Sequence, residues 1–278
     1  MRFGVAFGAM HPGMFAEAAR AVDELGFESL WLPEHLVLPV SMSGSPYAGE
    51  DHPPIPPATP VFDVFAFLAY LAGITRRVRL GTHVYNLALR HPFVAARAVQ
   101  TADVVSAGRI ELGVGAGWLR AEWDATGLDY STRGARLDEA LAVCQALWME
   151  ERVAHHGRFF SFDSVMFEPK PVQRPHPPVS IGGESAAALR RAAAHDGWIG
   201  LEHTPESVRR PLATLRRALA ARDRTTGLFT VTVGGRVEAE ADVEAFAVAG
   251  VDRLIVRPWS RTRDVPKALE AFAKRFLV

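Results

Sequence analysis

A chain of 278 residues with 49% hydrophobic side chains can bury a full-sized core, and at this length one domain over 1–278 is expected. Its 31 basic and 31 acidic residues give a net charge of +0, which argues against a nucleic-acid binder or a protein held on an acidic membrane. A single cysteine, Cys144, excludes an internal disulfide and fits a reducing, cytoplasmic setting.

The N-terminus, MRFGVAFGAMHPG, reads as a first strand, Arg2 to Phe7, and not as a signal peptide. No apolar run approaches the roughly 18 residues of a membrane span. Phe15 to Leu25 has helical spacing and stops at Gly26, a C-cap residue. Ser29 to Leu32 is strand two, Asp63 to Ala72 a helix, and Val78 to Tyr85 strand three. Pro92 opens a helix that runs to Ser106. Arg109 to Val114 is strand four, and Arg136 to Met149 an amphipathic helix.

The second half repeats the alternation. Val179 to Gly182 is strand five, followed by a helix through His195. Trp198 to Leu201 is strand six, with a helix from Pro205 to Arg222. Phe229 to Val233 is strand seven, with a helix over Ala241 to Ala249. Leu254 to Val256 is strand eight, and Val265 to Phe276 the last helix. Eight strand–helix units in this order predict a closed (β/α)8 TIM barrel.

Two stretches break the rhythm. Residues 36–62 contain Pro39, Pro46, Pro53, Pro54, Pro56, Pro57 and Pro60, too many for a helix, so an extended loop follows strand two. Residues 153–178 read as a small hairpin insertion and a proline-rich lead-in to strand five.

In such a barrel the working residues follow the C-terminal ends of the strands. Glu34-His35, after strand two, suits proton transfer near neutral pH, or else one of the two caps the loop. Gly113-Val-Gly115-Ala116-Gly117-Trp118, after strand four, either admits a flat ring or phosphate to the backbone or simply closes the barrel. Gly182-Gly183-Glu184-Ser185, after strand five, reads as an anion cradle at a helix start or as a tight turn. No His-x-His pair lies on strand one and no cluster has zinc spacing, so no metal site is expected. Tyr47, Trp118, Tyr130 and Phe159 either line a substrate pocket or pack at the surface.

The segments GFESLWLPEH (26–35), RRVRLGTHVYNLALRHPFVAARAVQTADVVSAGRIELGVGAGW (76–118), RGARLDEALAVCQALW (133–148), GRFFSF (157–162), PKPVQRPHPPVSIGG (169–183) and AAAHDGWIG (192–200) resemble the bacterial luciferase-like oxidoreductase superfamily, above all its deazaflavin-dependent branch. The resemblance implies a barrel that binds coenzyme F420, or alternatively FMN, at its mouth. It implies a non-prolyl cis peptide at His83-Val84, behind the ring and next to Thr82. It implies Glu34 and His35 beside the ring, His35 exchanging a proton and Glu34 fixing the ring or the imidazole. Backbone groups of Gly115, Ala116, Gly117 and Trp118, and of Gly182, Gly183, Glu184 and Ser185, are the implied phosphate contacts. The implied reaction is hydride transfer with a small organic substrate in a homodimer, with a separate cofactor reductase as a further partner. An FMN-dependent monooxygenase fed by such a reductase, or a non-catalytic flavin-binding protein, are the alternatives.

Overall fold

A computed structural model describes residues 1–8, 10–47, 55–224 and 229–277. Eight parallel strands close into a barrel: β1 (Arg2–Ala6), β2 (Ser29–Leu32), β3 (Arg79–Thr82), β4 (Ile110–Val114), β7 (Val179–Gly182), β8 (Gly197–His203), β9 (Thr230–Gly235) and β10 (Arg253–Val256). The last closes on the first, with Arg2 opposite Arg253 and Val5 opposite Val256. The predicted (β/α)8 TIM barrel is the observed fold. An antiparallel hairpin, β5 (Val153–His156) and β6 (Ser161–Val165), stands apart before β7, where the insertion was expected. The described parts of 36–62 carry no helix or strand; Pro53 and Pro54 lie outside the described residues.

Local signals set many of the boundaries. Helix α1 (Phe15–Leu25) ends on Gly26 at φ +86°, a left-handed cap that glycine adopts without strain. Helix α2 (Val64–Ile74) begins one residue later than expected, because the Asp63 carboxylate caps it by accepting the Ala66 N–H at 2.8 Å. Helix α3 (Pro92–Val105) starts at its proline. Helix α4 (Arg120–Ala125), only six residues, is not foreseen; it is too short to show a period. Helix α5 (Arg133–Met149) starts a turn earlier than the pattern indicates, and α6 (Ala186–Ala192) stops short of His195. Helices α7 (Arg209–Ala220), α8 (Glu240–Ala249) and α9 (Val265–Phe276) complete the outer ring.

Strand three is shorter than its continuous pattern. Thr82 Oγ1 donates to the Gly113 carbonyl at 2.7 Å, and backbone pairing with β4 resumes only at Tyr85, whose N–H reaches the same carbonyl at 2.8 Å. His83 and Val84 bulge between them, and their peptide is cis, at the position the resemblance implies.

The barrel interior is layered. At the base, the fully buried Arg253 holds Glu28 at 2.6 Å and Glu111 at 2.8 Å, and Arg79 joins Glu111 at 2.5 Å. Above lies the Trp31 indole, 5.2 Å from the guanidinium, its N–H donated to Ser29 Oγ at 2.8 Å. Ile199 and Ile255 pack on Trp31, with the half-buried Ala6 and Val84 over them toward the mouth. A second apolar layer fills the space between strands and helices.

Single carboxylates fasten the connecting segments. Asp23 accepts the N–H groups of Arg76, Arg77 and Val78 at 2.7–2.9 Å. Asp103 accepts those of Val172 and Gln173 at 2.7 and 3.0 Å. Glu139 accepts those of Arg158, Phe159 and Phe160 at 2.8–3.1 Å, which pins the hairpin.

Two stability measurements follow from this packing. Burial alone would raise the Glu111 carboxyl, but Arg253 and Arg79 hold it below its ordinary value of 4.5. Its contribution is therefore complete above that value and is lost as pH falls through the lower folded-state value. Arg253→Met leaves Glu111 facing Arg79 alone; urea unfolding at pH 7 should show a loss of about 3–5 kcal/mol and a weaker acid dependence. At the mouth, a Cβ on Gly115 would meet Val84 Cγ2 at 2.7 Å. Gly115→Ala should cost about 1–3 kcal/mol, and Val84→Ala added to it should return most of that loss in a double-mutant cycle.

Candidate active site

The mouth of the barrel collects the C-terminal ends of all eight strands, and the segments that follow β2, β3, β4 and β7 carry Glu34, His35, His83, Val84, Gly115 to Trp118 and Gly183 to Ser185. The floor is apolar: Ala6 and Val84 lie half-buried over Trp31, Ile199 and Ile255. Gly115 and Gly182 both face Val84, whose methyls lie 2.7 and 2.9 Å from where their Cβ atoms would be. Their lack of side chains accommodates the Val84 bulge. The half-buried Ala116 packs on the core. Gly117, at φ +77°, turns the chain over the Trp123 indole.

His83 sits deep in this mouth with its ring edge-on to Trp31 at 6.5 Å. Burial pushes its imidazole down to about 4, so it is neutral at pH 7. Thr82 is fully buried and its hydroxyl donates to the Gly113 carbonyl.

Glu34 and His35 come together in sequence but not as an interacting pair; the expectation that Glu34 fixes the imidazole is corrected here. Glu34 turns into the protein, where Arg90 Nη2 donates to it at 2.5 Å and the Asn86 N–H at 2.8 Å. Burial outweighs these contacts and leaves its carboxyl above the usual glutamate range. His35 turns the other way. Its Nδ1 lies 3.1 Å from Glu122 Oε2, on α4, and its ring is edge-on to Trp118 at 5.9 Å. Glu122 is fully buried and also accepts the N–H groups of Leu36 at 2.5 Å and Val37 at 3.4 Å, and Asn86 Nδ2 at 3.4 Å. His35 Nε2 has no hydrogen-bond partner among the described residues and is not a sealed atom.

The β7–α6 turn differs in detail from the expected cradle. Gly183 has φ +103°, which suits glycine, but its N–H is taken by the Ile199 carbonyl at 3.3 Å. Ser185 Oγ caps α6 by accepting the Ala188 N–H at 3.1 Å. The Glu184 carboxylate swings onto the Leu201 N–H at 3.0 Å and His203 Nε2 at 2.7 Å. Burial raises Glu184, but His203 and the Leu201 N–H more than offset this and hold it below the usual range. The N–H groups of Ala186 and Ala187, in the first turn, have no helical acceptor.

Sequence reasoning missed Glu122, Arg90 and His203. Asn86 and Arg90 lie in the long segment that carries the resemblance, but their partner Glu34 is set only by the fold. Of the aromatic candidates, Trp118 lies beside His35, and Tyr130 Oη donates to the Trp118 carbonyl at 3.1 Å. Phe159 belongs to the hairpin and packs on the core. Among the described residues no three His, Cys, Asp or Glu side chains converge as metal ligands, and no helix is long and apolar enough to cross a membrane.

The floor is built of side chains without charge, and His35 adds a polar group after β2. An uncharacterized protein of Mycobacterium tuberculosis is 28% identical over 91% of this chain and 85% of its own length. An F420-dependent glucose-6-phosphate dehydrogenase of Kineococcus radiotolerans is 30% identical over 83% of this chain and 65% of its own. An FMNH(2)-dependent dimethylsulfone monooxygenase of Pseudomonas putida is 34% identical, but over 38% of this chain and 30% of its own. The coenzyme F420 dependent tetrahydromethanopterin reductase of Methanopyrus kandleri shares the fold, with a TM-score of 0.81 at 15% identity over 99% of this chain and 98% of that one. The model of the luciferase-like monooxygenase family matches residues 2–267, and the chain belongs to that family.

Proposed function

We propose that this chain, acting as one unit over 1–278 in the cytoplasm, is an oxidoreductase that moves hydride between coenzyme F420 and a small organic substrate. The observation that carries the reading is the His35–Glu122 pair at the edge of an apolar floor. When bound, the cofactor supplies the two-electron chemistry. The protein orients it and handles the proton. Val84 and Ala6 form the surface for one ring face, and the first turn of α6, after Gly182 to Ser185, offers N–H groups to a phosphate. Backbone groups of the Gly115 to Trp118 loop border the same space. His35 Nε2 accepts or returns the proton that accompanies hydride transfer. His83, neutral at pH 7, adds no charge to the floor.

The choice of F420 is supported by the F420-dependent relative, which matches 83% of this chain, against 38% for the FMNH(2)-dependent one. That second relative keeps an FMN-dependent monooxygenase, served by a separate reductase, as the other reading. The apolar groove lined by Phe65, Ala69, Phe93, Ala98, Phe167 and the exposed Val94 and Met166 supports a homodimer through the α2–α3 side of the barrel.

Isothermal titration should show F420 binding more tightly than FMN; tighter FMN binding with oxygen-dependent turnover would move the assignment to the monooxygenase. His35→Ala should keep the fold and most cofactor affinity while turnover falls by about 10²–10⁴-fold. Light scattering should return twice the chain mass of 30.3 kDa, and Val94→Asp should reduce it to one chain.

A further inference from the structure

The contacts of Glu122 are all of one kind. Its Oε1 faces the N–H groups of Leu36 and Val37, at 2.5 and 3.4 Å. Its Oε2 faces Asn86 Nδ2 at 3.4 Å and His35 Nδ1 at 3.1 Å. Three of these four are fixed or natural donors, and no Lys or Arg side chain is bonded to Glu122 among the described residues. A carboxylate is an acceptor at both oxygens. A fully buried one with four close nitrogens is satisfied best when all four donate. The fourth nitrogen is His35 Nδ1, so the proton of the neutral ring belongs there.

We infer that Glu122 is the positioning residue that locks His35 in its Nδ1–H tautomer, with Nε2 as a bare lone pair facing the mouth. In free imidazole side chains the other tautomer prevails, so the lock reverses the ordinary preference. The group facing this pair from the β3 side is Asn86, whose N–H in turn binds Glu34, itself paired with Arg90. The lock leaves the ring able to accept a proton at Nε2, and to donate from Nε2 only after accepting one. Its catalytic meaning rests on the reading of His35 as the proton-exchanging residue; the tautomer itself does not.

The alternative is that Glu122 merely pins the loop after β2 through Leu36 and Val37. Glu122→Gln separates the two. The amide oxygen would stay on the two backbone N–H groups and keep the loop in place, which turns the amide nitrogen, a donor, toward His35 Nδ1. That nitrogen must then accept, and the proton moves to Nε2.

The test is 15N and 13C NMR of the full chain labelled at its 10 histidines, at a pH above the usual imidazole range, with the His35 signals assigned by their loss in His35→Ala. Wild-type protein should show protonated Nδ1 and bare Nε2, and Glu122→Gln the reverse, with native circular dichroism. Turnover of Glu122→Gln should fall at least tenfold at unchanged cofactor affinity. Wild-type protein with the proton on Nε2 overturns the lock whether or not any variant folds, and so does a variant spectrum unchanged from wild type. Undiminished turnover in His35→Ala would overturn the proton-transfer reading instead, and the spectra would still decide the lock.

Discussion

The barrel depends on one buried cation. Arg253 enters from the last strand, reaches Glu28 ahead of β2 and Glu111 on β4, and so ties three parts of the ring across its base. Burying these charges is costly unless every one is paired, and here Arg79 completes the set. The guanidinium also supports the Trp31 ring from below, and that ring carries the apolar layer on which the mouth rests. The ionic base thus underlies the floor through Trp31. Chemistry at the mouth inherits its geometry from an interaction that is nowhere near it.

At the mouth the carboxylates divide their tasks by environment. Glu34 is turned inward, raised by burial, and serves Arg90 and the Asn86 backbone. Glu122 gathers the start of the long loop and the imidazole onto one short helix. Glu184 holds the β7–α6 turn against β8 through His203. Glu34 and Glu184, with the same intrinsic chemistry, shift in opposite directions because desolvation and donors differ at the two.

Much of the fold was legible in the sequence because its signals are local. Gly26 ends a helix, Pro92 begins one, and alternating units announce the barrel. The bulge at His83-Val84 came from resemblance, since no local pattern marks it. The site was legible as a set of strand-end residues but not as a set of partners. His35 and Glu122 are 87 residues apart, and Glu34 and Arg90 are 56 apart. Adjacency in the sequence suggested the wrong pair, because two successive side chains after a strand leave the backbone in different directions. The partners of the glycines were hidden for a related reason: Gly115 and Gly182 yield space to Val84, and the Gly183 N–H is claimed by a neighbouring strand.

The carboxylate fasteners have a bearing on how such a chain can diverge. Asp23 binds three successive backbone N–H groups ahead of β3, and Asp103 binds two ahead of β7. Insertions there would break several bonds at once and shift the start of a strand. The segment after β2 is secured at its two ends, by Glu122 on Leu36 and by Asp63 on the first turn of α2. A change of length between those anchors need break neither of these bonds. Divergence in length is therefore tolerated more readily after β2 than at the starts of β3 and β7.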